Sequence, residues 1–463
     1  VASVEVPDMV AYATRYGSLV VAAIIALLSL GAAGQDAAND GMGSNWRRPT
    51  IEGLVNDTGY RTHDVLYGVA NGSSWGALAV NEPGAGRTAL VEVLRNNDSV
   101  TEGWDVIKIK ALVGTDEHYA MGYAEGFLTY NGIVAIWHNT VSPSWEQVKN
   151  PTIIASLKRQ LAVARNLPPT SAFNRRVLGL LRQLEGMYAG WQAANAAAGG
   201  SPAWLSDFSA FDMYMINFVE ELDNLHAPPQ DAVLQPKPAA ENAAKKPTHC
   251  HTFVRVHDGE MYLGHAAQDD YQLFLRQWKT YEYSGGVNVT MSSYPGFVYS
   301  SDDYIVNGHG LFLLSSALVQ DNETNSYQIS PSFLPGFLHQ QAAFLVATTP
   351  QEFADLWSHR NGGTMQNQNV LIDLRKAQAA LDAGRELPNG TVVMCENFPT
   401  LIVCEDMGWW LKDGNPWISF DWTYFNATRQ ISGANERDVQ YDTGGYAAFN
   451  SSVLPPLKRA VLL

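Results

Sequence analysis

Two periodicities divide this chain, and they change at a polar tract near its middle. Within residues 116–141, 152–197 and 211–225, apolar side chains recur about every three to four positions, which predicts amphipathic helices. From Cys250 onward apolar and polar residues alternate, and this pattern predicts strands. An earlier pair of strand-like runs, residues 64–80, predicts a hairpin. The first predicted helix also carries small residues that permit close packing: Ala120, Gly122, Ala124 and Gly126.

The alternating half of the chain begins with a second predicted hairpin. The segments HTFVRV and MYLGH flank Asp258 and Gly259, a pair that favours a tight turn. Helices are then predicted at residues 271–283 and 340–360. The remaining strand-like runs are residues 287–293, 296–301, 304–307, 311–319, 369–374, 391–395 and 400–404.

The tract between the two patterns covers residues 226–249. It is rich in proline, alanine and charged residues, so we expect an exposed linker or propeptide. Residues 35–225 then form an N-terminal chain of helices and strands, and residues 250–463 form a C-terminal chain. We expect the helices to lie outside and the antiparallel strands inside, in two halves of the chain that the linker joins. This arrangement predicts an α+β fold.

The composition indicates a globular protein with a large core. Of the 463 residues, 46% are hydrophobic and 16% are charged. The formal net charge is -16, from 30 basic and 46 acidic residues. This balance argues against a nucleic-acid partner and against docking on anionic lipid through a basic patch. We expect no cofactor.

An uncharged apolar run at residues 18–34 ends in small residues, as the cleavage region of a secretory signal does. The run is short for a membrane span. If translation starts at Met9, Arg15 is the only charge before the run, and the signal peptide ends near Gly34. A signal anchor is the alternative. With the signal removed, no stable membrane span is expected, and the protein is secreted or held in the lysosomal or endosomal lumen.

Glycosylation acceptors support this route. The chain has eight N-x-S/T sequons, and each lies in or beside turn-like residues, where glycan acceptors belong. They are Asn56, Asn71, Asn97, Asn288, Asn322, Asn389, Asn426 and Asn450.

The three cysteines are few for a secreted protein, so the core must form without a disulfide framework. Cys395 and Cys404 flank two strand-like runs about a turn and could pair. Cys250 is then the odd cysteine, which marks it as a candidate reactive thiol.

The segment GSSWG, Gly72–Gly76, fits the G-x-S-x-G pattern of serine esterases. That mechanism needs a strand, a strained elbow and then a helix. Here the strand-like ALAV follows, so the pattern favours a hairpin turn.

Four histidines surround Cys250 and invite a zinc interpretation: His249, His251, His257 and His265. No C-x-x-C or H-E-x-x-H motif accompanies them. Strand alternation also places His249 and His251 on the face opposite Cys250. We therefore expect no metal.

The junction itself favours another role for Cys250. If the chain is cut between His249 and Cys250, the new α-amine belongs to the residue that carries the thiol. An α-amine has a pKa of about 7.7–8.0 in model peptides and can accept the thiol proton near neutrality. Cys250 would then be an N-terminal nucleophile at the start of a strand. A buried structural cysteine is the alternative.

Several segments together resemble the phospholipase B-like (lamina ancestor) family. In order along residues 60–430 they are YAMGYAEGFLT, LRQLEGMYAGW, THCHTFVRV, the GH at 264–265, DYQLFLRQWKTY, SSYPGFVYSSDDYIV, NGGTMQNQNVLIDL and NPWISFDWTYFNAT. The resemblance implies a secreted or lysosomal glycoprotein with the N-terminal-nucleophile hydrolase fold, a four-layer αββα sandwich. It also implies cleavage just before the catalytic cysteine, and acyl esters of phospholipids or related amides as substrates.

The resemblance assigns roles to single residues. Cys250 matches the family's nucleophile, and Asn367 matches an asparagine of its GTYNNQW stretch, which implies an oxyanion donor. His265 matches the histidine that closes the second strand, where a structural role is the alternative. Ser316 is a further candidate donor. The chain departs from the family's HxTW at residues 265–268 and from its ETT at residues 315–317, so the pocket shape and substrate remain open.

The resulting hypothesis is a secreted or lysosomal hydrolase of acyl esters, with phospholipid as substrate and a cysteine thioester as intermediate. An amidase of N-acyl compounds on the same fold is the first alternative. A catalytically silent lumenal glycoprotein that binds lipid is the second. The sequence leaves the oligomeric state open.

Overall fold

The computed structural model describes most of the chain after residue 60. The described residues are 61–70, 73–79, 89–96, 103–112, 114, 116–148, 150–200, 208–222, 250–267, 275–318, 334–359, 361–399, 401–419 and 423–433. The predicted signal run at 18–34 and the tract at 226–249 lie outside them. So do five of the sequons: Asn56, Asn71, Asn97, Asn322 and Asn450.

Helices dominate before the 226–249 tract and strands dominate after it, which confirms the α+β class. The helices are α1 (Glu117–Leu128), α2 (Tyr130–Val148), α3 (Pro151–Arg165), α4 (Ala172–Ala197), α5 (Ala210–Ile216), α6 (Val219–Leu222), α7 (Gly336–Val346), α8 (Pro350–Ser358), α9 (Leu374–Asp382) and α10 (Asn426–Ser432). The strands are β1 (Arg61–Ala70), β2 (Ser73–Ala79), β3 (Ala89–Asn96), β4 (Asp105–Ala111), β5 (Cys250–His257), β6 (Glu260–Ala267), β7 (Gln277–Glu282), β8 (Asn288–Ser293), β9 (Tyr304–Asn307), β10 (Leu311–Ala317), β11 (Asn367–Asp373), β12 (Val392–Phe398), β13 (Leu401–Asp406) and β14 (Trp417–Ser419). Short 3-10 helices lie at Ser284–Gly286 and Gly408–Gly414.

Strands from both sides of the tract share one sheet. The large sheet has eleven strands in the order β13-β12-β11-β10-β9-β8-β7-β4-β3-β1-β2, and the small sheet has three in the order β14-β5-β6. The pairs within the large sheet are antiparallel except for β4 and β7, which run in parallel. This parallel pair joins the segments before and after the 226–249 tract by backbone hydrogen bonds, so the two segments share a sheet and a core.

The central strands of the large sheet are buried on both faces, and each face has its own core. On β10, Leu311 and Leu313 belong to the core shared with helices α1–α8. Phe312 and Leu314 belong to the second core, together with Val254 of the small sheet. Strand β5 lies against β10, so the small sheet covers part of the second face. In the described part of the chain, no helix has the length and apolar character needed to cross a bilayer.

Helices α1 and α4 pack with their backbones in contact. A Cβ added at Gly122 would lie 1.9 Å from the carbonyl oxygen of Gln183, and one at Gly186 would lie 2.1 Å from that of Tyr119. Neither backbone could approach so closely if these positions carried side chains. The close packing predicted from the small residues of α1 is confirmed, and its partner is α4.

The helix predicted at residues 271–283 is wrong for the part that the structure describes. Residues Gln277–Glu282 form β7, which pairs with β4 on one side and β8 on the other. Trp278 packs into the second core and Tyr281 into the helix core. Because both faces of β7 are buried, both carry aromatic residues, and the alternation typical of a strand is lost.

The strand predicted at residues 296–301 is also wrong. The segment connects β8 and β9 as turns and bends. Side chains satisfy several of its backbone groups: the amide nitrogen of Asn217 donates to the carbonyl of Gly296 and its oxygen accepts from the N–H of Val298, each at 2.8 Å. A buried segment whose polar groups are satisfied this way needs no strand partner.

Three predicted helices are interrupted, and the one at 116–141 divides into α1 and α2 at Thr129. The helix at 340–360 begins earlier, at Gly336, and divides into α7 and α8. Thr349 caps α8 by accepting a hydrogen bond from the N–H of Glu352, and Pro350 occupies the first turn, so a new helix starts there. The helix at 211–225 divides into α5 and α6 in the same way, around Asn217.

A buried ion pair links the segments before and after the tract beside the parallel β4–β7 pair. Glu125 of α1 and Lys279 of β7 both have fully buried side chains, and their charged atoms lie 2.5 Å apart. The hydroxyl of Tyr281 donates to the other oxygen of Glu125, and the Lys279 ammonium also donates to the carbonyl of Phe297 at 2.8 Å. Burial lowers the pKa of Lys279, while Glu125 opposes that shift.

A second buried carboxyl, Glu221 of α6, holds the start of α7. It accepts hydrogen bonds from the backbone N–H of Gly336 at 2.9 Å and of Phe337 at 2.8 Å. These are N–H groups of the first turn, which have no partner within the helix. Burial raises the pKa of Glu221 to about 7, although the hydrogen bonds from Thr364, Phe337 and Gly336 oppose the shift.

Glu221 predicts a specific dependence of stability on pH. The unfolded carboxyl ionises near pH 4.5, whereas the folded one keeps its proton to about pH 7. The folded state therefore binds more protons between these values, so its stabilisation is full below pH 4.5 and is lost as the pH rises to 7. The resulting decrease in the free energy of unfolding between these pH values is roughly 3 kcal/mol. Glu221→Gln, which cannot ionise, should remove this part of the slope in urea unfolding measured across the interval.

Glu352→Gln is the matched control. Glu352 also accepts hydrogen bonds at a helix start, but its pKa is lowered by Thr348, so it is ionised in both states above pH 4.5. Its replacement should leave the slope between pH 4.5 and 7 unchanged. Equal slopes for the wild type and Glu221→Gln would contradict the assignment.

Candidate active site

Cys250 is the first residue of β5, as the sequence predicts. Its side chain is buried, with 8% of its surface exposed. Asp258 and Gly259 both have positive φ angles, 53° and 77°, and form the two-residue turn that returns the chain as β6. In the hairpin register Cys250 lies opposite Ala267, and Thr252 lies opposite His265. The hairpin thus places the thiol and the imidazole near one end of the small sheet.

Three chemically active side chains meet at this end. The Cys250 sulfur, a ring nitrogen of His265 and a carboxylate oxygen of Asp303 all lie within 4.8 Å of one another. All three residues are buried. We call this group the 250/265/303 cluster. Cys250 and His265 come from the small sheet, and Asp303 precedes β9 of the large sheet, so the cluster exists only where the two sheets meet.

The imidazole of His265 is held in one orientation. Its Nε2 lies 2.8 Å from the carbonyl oxygen of Ser315 in β10. Since a carbonyl can only accept, Nε2 carries the hydrogen and Nδ1 has the lone pair. Burial is the main cause that lowers the pKa of His265 to about 4; the hydrogen bond to Ser315 opposes this shift and the nearby His251 adds to it, so the ring is neutral at physiological pH.

Asp303 is the residue of the cluster that the sequence interpretation missed. Its backbone has a φ of 56°, in the left-handed region that non-glycine residues seldom adopt. Its carbonyl accepts a hydrogen bond from the N–H of Ser315 at 3.2 Å. Burial, and then the neighbouring Asp302, raise the pKa of the Asp303 carboxyl well above its ordinary value.

A sequence signal for Asp303 does exist. Asp302 and Asp303 are the only Asp, Glu, Lys or Arg residues in the stretch 283–320. A pair of carboxyls inside such an uncharged, strand-rich stretch is costly to bury and therefore points to a function.

Ser316 joins the two sheets next to the cluster. It lies in β10 on the side of Phe312 and Leu314, which face the small sheet. Its hydroxyl forms a hydrogen bond with the hydroxyl of Ser419 in β14. Ser419 pairs with Thr252 in β5, so Ser316 and the cluster belong to the same polar end of the interface between the sheets.

Asn367 begins β11, opposite Ala317 in β10. By strand alternation the side chain of Asn367 points to the same face of the sheet as that of Asn369. The amide oxygen of Asn369 lies 3.4 Å from the amide nitrogen of Gln340 in α7. That is the helix side of the large sheet, whereas the cluster lies on the side of the small sheet. The oxyanion role of Asn367 stays a prediction.

Of the four histidines from the zinc interpretation, His265 belongs to the cluster and His251 lies near it, whereas His257 lies at the hairpin turn. His257 is exposed and lies 3.3 Å from Asp258, and His251 is half-buried. His249 is outside the described residues. Only His265 meets Cys250 there, and Asp303 is their third partner.

The remaining sequence-based candidates have clear positions. Cys395 of β12 and Cys404 of β13 lie directly opposite each other, 4.1 Å apart at Cα, and form a disulfide. Residues 73–79, which include most of GSSWG, form β2 paired with β1, so the residues directly after Ser74 continue as a strand and do not form the helix of an esterase elbow. Of the sequons that the structure describes, Asn389 and Asn426 are exposed and Asn288 is half-buried.

Comparison with known proteins gives a consistent pattern. The family model for phospholipase B matches residues 92–448. Phospholipase B-like 1 of Rattus norvegicus is 26% identical over 364 residues, or 73% of this chain and 62% of the relative. Phospholipase B-like protein B of Dictyostelium discoideum is 25% identical over 386 residues, or 78% and 64%. Phospholipase B of Crotalus adamanteus is 24% identical over 368 residues, or 73% and 64%. The chain spans less than two thirds of the length of these relatives.

Proposed function

Since this chain belongs to the phospholipase B family, we propose that it is a hydrolase that cleaves acyl esters of phospholipids with Cys250 as its N-terminal nucleophile. One observation carries the proposal: Cys250 begins a strand directly after the 226–249 tract, and its buried thiol lies in the 250/265/303 cluster. A purely structural cysteine has no need of a histidine and a carboxyl beside it. The names of the relatives support the substrate class.

The proposed first step is self-cleavage before Cys250. The thiol attacks the carbonyl carbon of His249 and the C–N bond breaks, so the acyl group passes to sulfur while the thiol's proton moves to the departing nitrogen, which becomes the amine of Cys250. Water then hydrolyses the thioester, which leaves a carboxylate on His249 and a thiol with a free α-amine on Cys250. The neutral ring of His265 and the carboxyl of Asp303 position the thiol for this attack.

The proposed turnover uses the new amine as a base. The amine takes the thiol proton, and the thiolate attacks the ester carbonyl of the lipid. The ester C–O bond breaks, and the ammonium gives its proton to the departing alcohol oxygen. Water hydrolyses the resulting thioester and releases the fatty acid. This scheme consumes one water for each acyl group and regenerates the thiol.

Two donors are proposed for the oxyanion, and the geometry supports them unequally. Ser316 faces the small sheet, which carries Cys250. By strand alternation, the side chain of Asn367 points to the helix side of β11, away from the small sheet. Ser316 is therefore the better supported donor, and Asn367 rests on the resemblance alone.

The proposed architecture is the αββα sandwich. Helices α1–α8 against one face of the large sheet and the small sheet against the other support its first three layers. The 3-10 helix at Gly408–Gly414 packs on β5 and is a candidate for part of the fourth.

The proposed location is the secretory or lysosomal lumen. The Cys395–Cys404 disulfide supports it, because disulfides persist in oxidising compartments. The exposed sequons Asn389 and Asn426 are accessible to glycan transfer.

Trapping the acyl-enzyme tests the chemistry. We expect acid quenching during turnover of phosphatidylcholine vesicles to leave one fatty acyl group on the fragment that begins at Cys250, seen by intact mass. Neutral hydroxylamine should remove it, as it does thioesters, and Cys250→Ala should show no adduct. An N-acyl amide offered in parallel separates an esterase from an amidase. Fatty-acid release that persists in Cys250→Ala would contradict the proposal.

A further inference from the structure

We propose that Cys250, His265 and Asp303 form a Zn²⁺ site. The three residues supply one sulfur, one nitrogen and one oxygen ligand from three separate positions in the chain, and they converge without any of the spacing motifs of known zinc sites. These are the ligand types that zinc takes in proteins. With three protein ligands, the fourth tetrahedral position is left for water.

The distances suit a metal after a small contraction. Zinc binds sulfur at about 2.3 Å and nitrogen or oxygen at about 2.0–2.2 Å, so its ligand atoms lie roughly 3.5 Å apart in a tetrahedron. The ligand atoms of the cluster lie within 4.8 Å of one another. Side-chain rotations that close the group by roughly 1 Å complete the coordination.

The hydrogen bond of His265 is a second, independent observation. A histidine that binds a metal almost always donates its other ring N–H to a carboxylate or a backbone carbonyl, which fixes the tautomer. Here Nε2 donates to the carbonyl oxygen of Ser315 at 2.8 Å. The lone pair of Nδ1 is thereby available to a metal.

The charge of the pocket favours a divalent cation. A thiolate on Cys250 and a carboxylate on Asp303 would place two negative charges in a buried space, and the neighbouring Asp302 is also acidic. A Zn²⁺ ion neutralises the first two charges, so the complex can be buried without a net charge. A thiolate ligand favours Zn²⁺ over Mg²⁺ and Ca²⁺, which prefer oxygen ligands.

The site would also regulate the enzyme, a consequence that rests on the proposed function. An ion bound to the Cys250 sulfur occupies the nucleophile. Zn²⁺ would then inhibit hydrolysis, and a chelator would restore it.

Direct binding tests the site without reference to activity. The full-length protein is stripped with a chelator, equilibrated with Zn²⁺, desalted and analysed for metal by atomic emission. We expect about one tightly held ion per chain, and binding weakened more than about 100-fold in Cys250→Ala, His265→Asn and Asp303→Asn, since these are direct ligands. His257→Gln is the matched control, because His257 lies 3.3 Å from Asp258 but is exposed on the hairpin turn. It should bind as the wild type does.

Cobalt substitution keeps the test decisive if a variant fails to fold. Co²⁺ in the wild-type protein should give a thiolate-to-metal charge-transfer band and the visible bands of a tetrahedral site, and Zn²⁺ should remove both. Excess Mg²⁺ or Ca²⁺ should leave them. Sub-stoichiometric metal, unchanged binding in folded Cys250→Ala, or a cobalt spectrum without the thiolate band would each overturn the proposal. None of these outcomes bears on the acyl-enzyme, so the two proposals fail separately.

Discussion

Replacing Cys250 by alanine is expected to leave the protein as one uncut chain, whereas the wild type is expected to mature into two fragments. The alanine variant has no sulfur to receive the acyl group of His249, so the first bond cannot form. Cys250→Ser retains a weaker nucleophile and should be cut slowly. Intact mass and N-terminal sequencing check the result. The fragment that begins at Cys250 should give the N-terminal sequence Cys-His-Thr-Phe.

The unfolding temperature of Cys250→Ala is the control for this experiment, because it shows whether the variant is folded. Cys250→Ala removes only a sulfur atom and should unfold at a temperature close to that of the uncut wild type. Cleavage of the alanine variant at the same bond would mean that another protease cuts the chain. A wild-type protein that stays a single chain with full hydrolytic activity would show that the N-terminal-nucleophile mechanism is wrong.

Lys279→Met is expected to lower the free energy of unfolding by about 3–5 kcal/mol. The substitution keeps most of the side-chain volume but leaves the Glu125 carboxyl fully buried without a cation, and breaking a buried pair costs about this much. Urea unfolding measures it. The double variant Glu125→Leu with Lys279→Met should recover a large part of the loss, because it removes the uncompensated charge as well.

The pair Lys412–Glu386 provides the comparison. Its charged atoms lie 2.6 Å apart, but the two side chains are 43% and 71% exposed. Lys412→Met should therefore cost about 1 kcal/mol or less. Equal losses for Lys279→Met and Lys412→Met would show that burial does not determine the contribution of these pairs.

The two predictions are connected through the parallel β4–β7 pair. Glu125 lies before the proposed cleavage site and Lys279 after it, and β4 and β7 pair across the same divide. The two fragments should therefore stay together after cleavage. Their separation in native gel filtration would contradict the shared sheet.

Local features of the chain follow from its sequence alone. The alternation after Cys250 and the Asp258-Gly259 turn determine the β5–β6 hairpin, and hence a cysteine at the start of a strand. The glycines of α1 predict that another helix packs closely against it. The short connection between β12 and β13 brings Cys395 and Cys404 together. Each of these depends on residues near one another in sequence, where backbone preferences and side-chain period decide the outcome.

Other features were decided only by the tertiary structure. Strand β7 has the residue pattern of a helix because it is buried on both faces, and only its partners β4 and β8 make it a strand. Asp303 joins Cys250 and His265 across 38 or more positions of sequence because two sheets pack together there. Asn367 matches a family stretch, yet the pleat of β11 places it on the helix side. A sequence pattern shows how often apolar positions recur, but it does not show which part of the protein packs against each side chain. That packing surface is formed by distant parts of the chain.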